Sequence, residues 1–280
     1  MTSAAPRLLV VTAVAPEAAA VLRGVGAALP DAEPTQARLP GGHLLHRHGP
    51  VDVLAAGVGP AAAAAGTATA LAVDGYALVV SAGICGGFAP AAPLGCAVVA
   101  DAIVAADLGA QTPDGFASVT ELGFGRVRHE TAHAGAVARA LRAAGLPTAV
   151  GAVLTVSTVT GSAERAAELT AGHPGAVGEA MEGFGVAEAA AAHGTPVLEL
   201  RAVSNAVGPR DRAAWRIGDA FATLERAFAA LPYRDLPYRD LPYRNLPYPD
   251  LSQQAQPSQA HPRGGPQTAP SHDAPPGGTA

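Results

Sequence analysis

The chain has 280 residues, 49% of them hydrophobic, and a formal net charge of −5, and all eighteen of its basic residues are arginine. That is enough apolar material for one sizeable core, while an acidic balance without a basic stripe excludes a nucleic-acid backbone as partner. Two cysteines, Cys85 and Cys96, without CxxC spacing point to a reduced compartment and no zinc site.

The apolar run in RLLVVTAVAP (Arg7 to Pro16) is brief and leads straight into further α/β pattern, so it reads as a first buried strand rather than a signal peptide. Apolar, β-branched runs predict strands at Leu8–Ala13, Val51–Ala56, Ala77–Ala82, Ala97–Ala105, Val150–Ser157 and Pro196–Val203. Helices are predicted after Pro16, after Pro60, at about Ala132–Ala144, Ser162–Ala171, Glu182–His193 and Arg212–Ala229. Pro16 and Pro60 suit a first helical turn, and Gly145-Leu-Pro147 reads as a helix stop. This alternation predicts one α/β domain with a mostly parallel sheet over residues 1–230. No run approaches eighteen uninterrupted apolar residues, so no membrane span is expected, and the cytoplasm is the expected location. From Leu231 the text becomes LPYRDLPYRDLPYRNLPYPDL and then a Gln/Pro/Ser/Gly stretch. Proline every fifth residue breaks helix and sheet ladders alike, so 231–280 is expected to be a disordered tail.

Within this frame a few polar residues stand where ligands bind in α/β proteins, at strand ends and the helix starts beside them. Glu17 follows the first strand, where an acid complements a helix N-terminus. Gly57-Val-Gly59-Pro60 lacks the third glycine and the downstream acid of a dinucleotide fingerprint and reads as a tight strand-to-helix turn. Ser81-Ala-Gly83-Ile-Cys-Gly-Gly87 ends the third strand, with glycines that let backbone approach a ligand. Thr155-Val-Ser-Thr-Val159-Thr160 ends the fifth strand ahead of a helix N-cap at Ser162. The most informative stretch is Met181 to Asn205, MEGFGVAEAAAAHGTPVLELRAVSN. Glu182 opens an Ala-rich helix there, and an apolar strand carrying Arg201 ends in Ser204-Asn205. Each alone is accounted for as a helix-start acid or a strand-end turn residue. Together they can face one pocket, a carboxylate for hydroxyls and an amide for a heterocycle.

This string resembles the nucleoside phosphorylase/nucleosidase superfamily, which cleaves the N-glycosidic bond of purine nucleosides, and the likeness extends over roughly residues 7 to 230. It implies a three-layer α/β/α fold around a twisted mixed sheet. It also implies a role for each residue: Glu17 activates the attacking water, Met181 lies on the apolar face of the ribose, and Glu182 accepts from its hydroxyls. Val159 and Thr160 pack against the purine, Gly86 closes the loop beside it, and Arg201 supports the water or its glutamate. Where phosphate-using members bind phosphate, this chain has Ser81 and Ile84, and Pro16-Glu17 replaces the expected arginine. An uncompensated buried phosphate is costly, so hydrolysis is expected rather than phosphorolysis. Asn205 stands where adenine-releasing members carry Asp. An amide accepts from a protonated N7 and donates to a 6-oxo group, which fits hypoxanthine.

The segment AVGPRDRAAWRIGDAF, with Arg210, Asp211 and Trp215, resembles a branch of the superfamily that frees hypoxanthine from a nucleoside with an aromatic carboxylate on its 5′ side; Arg210 or Arg212 is expected near that end. The resemblance implies no cofactor and no metal. Its implied partners are a small-molecule nucleoside and further copies of the chain, a homodimer by default. The rivals are a methylthioadenosine/S-adenosylhomocysteine-type nucleosidase, a purine nucleoside phosphorylase and a nucleoside-binding module without chemistry. His43, His46 and His48 alternate on a short strand and read as an exposed face rather than a metal site, and Cys85 as a small buried residue.

Overall fold

Strand β1 (Leu8–Thr12) is buried along its whole length, and its side chains divide by parity: Leu8 and Val10 enter one core, Leu9 and Val11 another. A strand covered on both faces reads as a continuous apolar run, and here it lies inside the sheet of a three-layer α/β/α fold. The computed structural model describes residues 7–233 and Leu236. After β1 come α1 (Ala15–Ala28), β2 (Pro34–Arg38), β3 (Leu44–His48), β4 (Val51–Ala55), α2 (Pro60–Val73), β5 (Leu78–Gly87) and β6 (Ala97–Ala105). There follow β7 (Gly109–Thr112), β8 (Gly115–Ser118), β9 (Arg128–Glu130), α3 (Ala134–Ala143), β10 (Thr148–Thr155) and α4 (Ala163–Gly172). The chain then forms β11 (Ala176–Ala180), α5 (Gly183–Ala192), β12 (Val197–Ala206) and α6 (Ile217–Ala229).

One mixed sheet runs in the order β11-β10-β6-β12-β5-β1-β4-β3-β2, with β9 beside β6. Because β11 also pairs with β5, the strands β5, β12, β6, β10 and β11 close into a ring. The mostly parallel sheet predicted from the alternation is corrected by this pairing. β12 meets β6 antiparallel, β11 meets β5 antiparallel, and the β2–β3–β4 meander and β9 add further antiparallel ladders. β12, late in the chain, is inserted between the early strands β5 and β6.

Helices α1, α3 and α6 cover one face through Val21, Val25, Leu141, Leu224 and Phe228. The other face is covered by α2 and α5 through Ala63, Ala70, Val186 and Ala190. Small residues let these two helices approach closely: a Cβ on Gly185 would lie 2.0 Å from the Pro60 carbonyl oxygen. Leu169 of α4 packs with Leu154 and Val156 in a third cluster. The predicted helix Arg212–Ala229 is divided. Asp211 caps a short 3-10 turn at Arg212–Ala214 by accepting from the Ala213 N–H at 3.0 Å, and α6 starts only after Arg216 N has bonded to Ser204 O at 2.7 Å. The first residues of the proline-rich repeat belong to the main core: Leu231, Tyr233 and Leu236 are buried, and the Tyr233 hydroxyl donates to Phe228 O at 2.6 Å. The remainder of 231–280, and with it the expected disordered tail, lies outside the described residues.

Candidate active site

The carboxyl ends of β1, β5 and β12 lie side by side because these strands are parallel neighbours, and the turns that follow them gather a cluster of buried charges. Glu17 occupies the first turn of α1. It reaches back to accept from the N–H groups of Ala13 (3.0 Å) and Val14 (3.2 Å) with Oε2, the return half of a capping box. Its Oε1 accepts from the Ile84 N–H on β5 at 2.9 Å. Burial pushes the Glu17 carboxyl above the ordinary value of 4.5; Arg201 and the Ile84 N–H pull it back down, and nearby Glu182 adds to the rise.

Glu182 stands at the N-cap of α5. Its Oε1 accepts from the Gly59 N–H at 3.2 Å and its Oε2 from Arg201 Nη1 at 3.1 Å. Gly59 has φ of 90°, which glycine tolerates where other residues are strained, and this turns its N–H toward the carboxylate. Arg201, 1% exposed on β12, commits each of its nitrogens: Nε donates to Glu199 Oε1 at 2.9 Å, Nη1 to Glu182, and Nη2 to Ser81 Oγ at 3.1 Å. Burial disfavours its charge, but Glu199, Glu182 and Glu17 outweigh that and hold the guanidinium above its usual range. Gly83 lies between the parts: a Cβ there would fall 2.4 Å from Glu17 Oε1 and 2.8 Å from Arg201 Nη1.

A narrow cleft opens beside this cluster. Gly86, Val159, Thr160, Glu179, Asn205, Arg210 and Trp215 are among its lining residues. Its geometry follows from register. Gly86 of β5 pairs with Glu179 of β11 on one side and Asn205 of β12 on the other, so a carboxylate and an amide flank a position that has no side chain. Asn205 Oδ1 accepts from the Ser204 hydroxyl at 2.9 Å and Nδ2 donates to Ala206 O at 3.0 Å. Each end keeps further hydrogen-bonding capacity, one acceptor site and one donor proton. Glu179, 6% exposed, accepts from the Thr160 N–H at 2.9 Å and from the Thr160 hydroxyl. The Arg210 and Arg212 guanidinium carbons lie 5.4 and 5.8 Å from the centre of the Trp215 ring, within cation–π range. Of the two, Arg210 lines the cleft.

The site residues expected from the sequence thus fall into two neighbouring groups. Glu17, Glu182 and Arg201 form the charge cluster, with Ile84 joining through its backbone, and Met181 is half-buried in the bend leading to Glu182. Gly86, Val159, Thr160, Asn205 and Arg210 line the cleft. Three features are new. Ser81, which stands where phosphate-using members bind phosphate, accepts from Arg201. Glu199 and Glu179 are buried carboxylates that the sequence reading passed over; Glu199 was detectable, since it precedes Arg201 by two residues in an apolar strand, and that spacing puts both on one face. Gly83–Gly87 is also strand rather than loop, because β12 and β11 flank it on both sides. Elsewhere, Asp107 accepts from the Ser157 N–H at 2.6 Å, His48 Nε2 lies 2.9 Å from Leu29 O, and burial pushes the Cys85 thiol up to about 12, so it stays protonated.

A family model described as the phosphorylase superfamily matches residues 7–233. A curated futalosine hydrolase of Streptomyces coelicolor is 62% identical over 231 residues, covering 80% of this chain and 94% of that protein. A futalosine hydrolase of Acidothermus cellulolyticus is 48% identical over 226 residues, covering 80% and 89%. Among solved structures, the native futalosine hydrolase of Helicobacter pylori superposes with a TM-score of 0.69 at 18% identity, covering 80% of this chain and 96% of that one; at this identity the likeness speaks to the fold.

Proposed function

Because the chain belongs to the phosphorylase superfamily and, within it, to the futalosine hydrolases, we propose that it hydrolyses the N-glycosidic bond of futalosine, releasing hypoxanthine and dehypoxanthine futalosine on the futalosine route to menaquinone. The observation that carries the hydrolytic reading is the closed charge cluster. Every nitrogen of Arg201 already serves Glu199, Glu182 or Ser81, and Glu17 adds a third buried carboxylate. Such a site repels a phosphate dianion and welcomes a neutral water.

Glu17, ionised, takes a proton from that water as its oxygen bonds to C1′. The C1′–N9 bond breaks and its electron pair passes to the purine, which leaves neutral with N7 protonated from solvent. As the C1′–N9 bond opens ahead of water capture the ribosyl group is cationic, and hydrogen bonds from its hydroxyls to Glu182 strengthen with that charge, favouring the transition state over the substrate. Met181 lies against the sugar, and Val159 and Thr160 against the purine. Asn205 Oδ1 accepts from N7–H while Nδ2 donates to O6. Glu179, across Gly86 from the amide, offers an acceptor to the N1–H of hypoxanthine, a proton that adenine lacks. Arg210 is assigned to the 5′ carboxylate: Arg210→Ala is expected to raise KM about tenfold, the cost of a charge-assisted hydrogen bond. If neither it nor Arg212→Ala changes KM, that assignment is wrong.

Release of the purine base from futalosine, inosine and methylthioadenosine (hypoxanthine from the first two, adenine from the third), each with and without phosphate, tests the whole reading. Phosphate-independent turnover of futalosine supports it; faster adenine release from methylthioadenosine sinks it. Asn205→Asp, which puts an acceptor against O6, is expected to lower kcat/KM for futalosine by about two orders of magnitude, the usual effect of losing a donor at developing charge. The exposed apolar side chains of Leu108, Phe116 and Phe124 support a homodimer. Free, buried Cys85 and Cys96 support a reducing compartment, the cytoplasm. Among the described residues no helix is long and apolar enough to cross a membrane.

A further inference from the structure

Glu199 takes no part in the steps above, yet it is fully buried in β12 beside the residues that do. Its Oε1 accepts from Arg201 Nε at 2.9 Å, and its Oε2 has no hydrogen-bond partner among the described residues. Both oxygens press on Gly183, the residue after Glu182, where a Cβ would fall 2.4 Å from Oε2 and 2.5 Å from Oε1. A half-satisfied carboxylate in a strand interior is costly, so its position calls for an explanation in what it touches. A guanidinium is a planar, rigid fork; anchoring Nε fixes the plane and therefore the directions of Nη1, toward Glu182, and Nη2, toward Ser81.

We propose that Glu199 is a positioning residue that acts on both working carboxylates through Arg201: by holding Nε it aims the guanidinium at Glu182, and by sharing the cation's charge it sets how firmly Glu17 stays ionised. The inference rests on reading Glu182 as the ribose carboxylate and Glu17 as the base. The groups that face Glu17 are Arg201 of β12, Glu182 at the start of α5 and the Cys85 thiol of β5. Glu199 reaches Glu17 through Arg201, and burial that raises Glu199 itself is opposed chiefly by the same cation.

The test compares futalosine with its 2′-deoxy analogue in the full-length enzyme, using Glu182→Gln as reference. Glu182→Gln is expected to erase the preference for the ribo substrate. Glu199→Leu is expected to lose about 100-fold in kcat/KM on futalosine, mostly in kcat, as for a catalytic group displaced by an ångström, and little on the deoxy analogue. Glu199→Gln keeps an acceptor for Nε and is expected to rescue most of that kcat. With one fewer anion on Arg201, its kcat/KM profile is expected to carry the acid limb to lower pH. A folded Glu199→Leu enzyme with the wild-type ribo preference overturns the inference. Should that variant fail to fold, a Glu199→Gln enzyme with an unmoved acid limb overturns it. Glu182→Gln retaining the preference would instead overturn the ribose reading, and the positioning of Glu182 with it.

Discussion

Glu17→Gln is expected to lower kcat for futalosine hydrolysis by about three orders of magnitude with little change in KM. General-base catalysis contributes about 10²–10⁴-fold, and the amide cannot accept the water's proton. The geometry makes the loss specific. Oε1 and Oε2 of Glu17 accept three backbone N–H groups, from Ala13, Val14 and Ile84. An amide can offer its oxygen to one side only, so its NH₂ must face a donor on the other. In the wild-type enzyme the same residue predicts the pH profile. Burial raises its carboxyl above the ordinary 4.5. A base works ionised, so in the proposed role kcat/KM is expected to fall as pH drops through this raised value, with an acid limb above pH 4.5. Steady-state kinetics between pH 4 and 9 check both points. A Gln variant within tenfold of wild type would remove Glu17 from the reaction.

Arg201→Met has the largest expected effect on stability. The substitution is similar in length and apolar, but it leaves Glu17, Glu182 and Glu199 buried together without their cation. Breaking a buried ion pair from one side costs about 3–5 kcal/mol, a fall in Tm of roughly 6–20 °C for a domain of this size. The deficit has a pH signature. Glu17 and Glu199 already bind protons more tightly folded than unfolded, and loss of the guanidinium raises them further. A carboxyl raised in the folded state adds stability below its unfolded value and loses it as pH rises through its folded one. The gap between Arg201→Met and wild type is therefore narrowest near pH 4 and widens toward neutrality. Thermal melts at a series of pH values read it out, and a gap independent of pH would contradict the account.

The difference between what the sequence disclosed and what it concealed is physical. Leu8–Thr12 and Ala97–Ala105 were readable because strands buried on both faces leave long apolar runs. Glu17, Glu182, Arg201 and Asn205 were readable because a lone polar group beside such runs is conspicuous, and the family likeness attached roles to them. β11 was not readable: its five residues, Ala-Val-Gly-Glu-Ala, mix a glycine and a charge, and their strand character comes from β10 and β5 on either side. With β11 went Glu179, whose place opposite Asn205 depends on registers that no local pattern encodes. The glycines of β5 misled in the other direction. They punctuate a sequence like a turn, yet here they make room where strands and side chains crowd, as at Gly87, whose Cβ would lie 2.1 Å from Ala92 O.

The insertion of β12 between β5 and β6 has a consequence for biosynthesis. During synthesis β5 and β6 are complete more than ninety residues before the strand that separates them. Until Val197–Ala206 has been made, both present unpaired edges, the kind of surface through which nascent chains stick to one another. The same late strand brings Arg201 and Asn205, so a truncated product lacks the central ladder, the cation that pairs with Glu182 and the amide that lines the cleft. The β12-facing stretches of β5 and β6 are closed only when this final strand arrives.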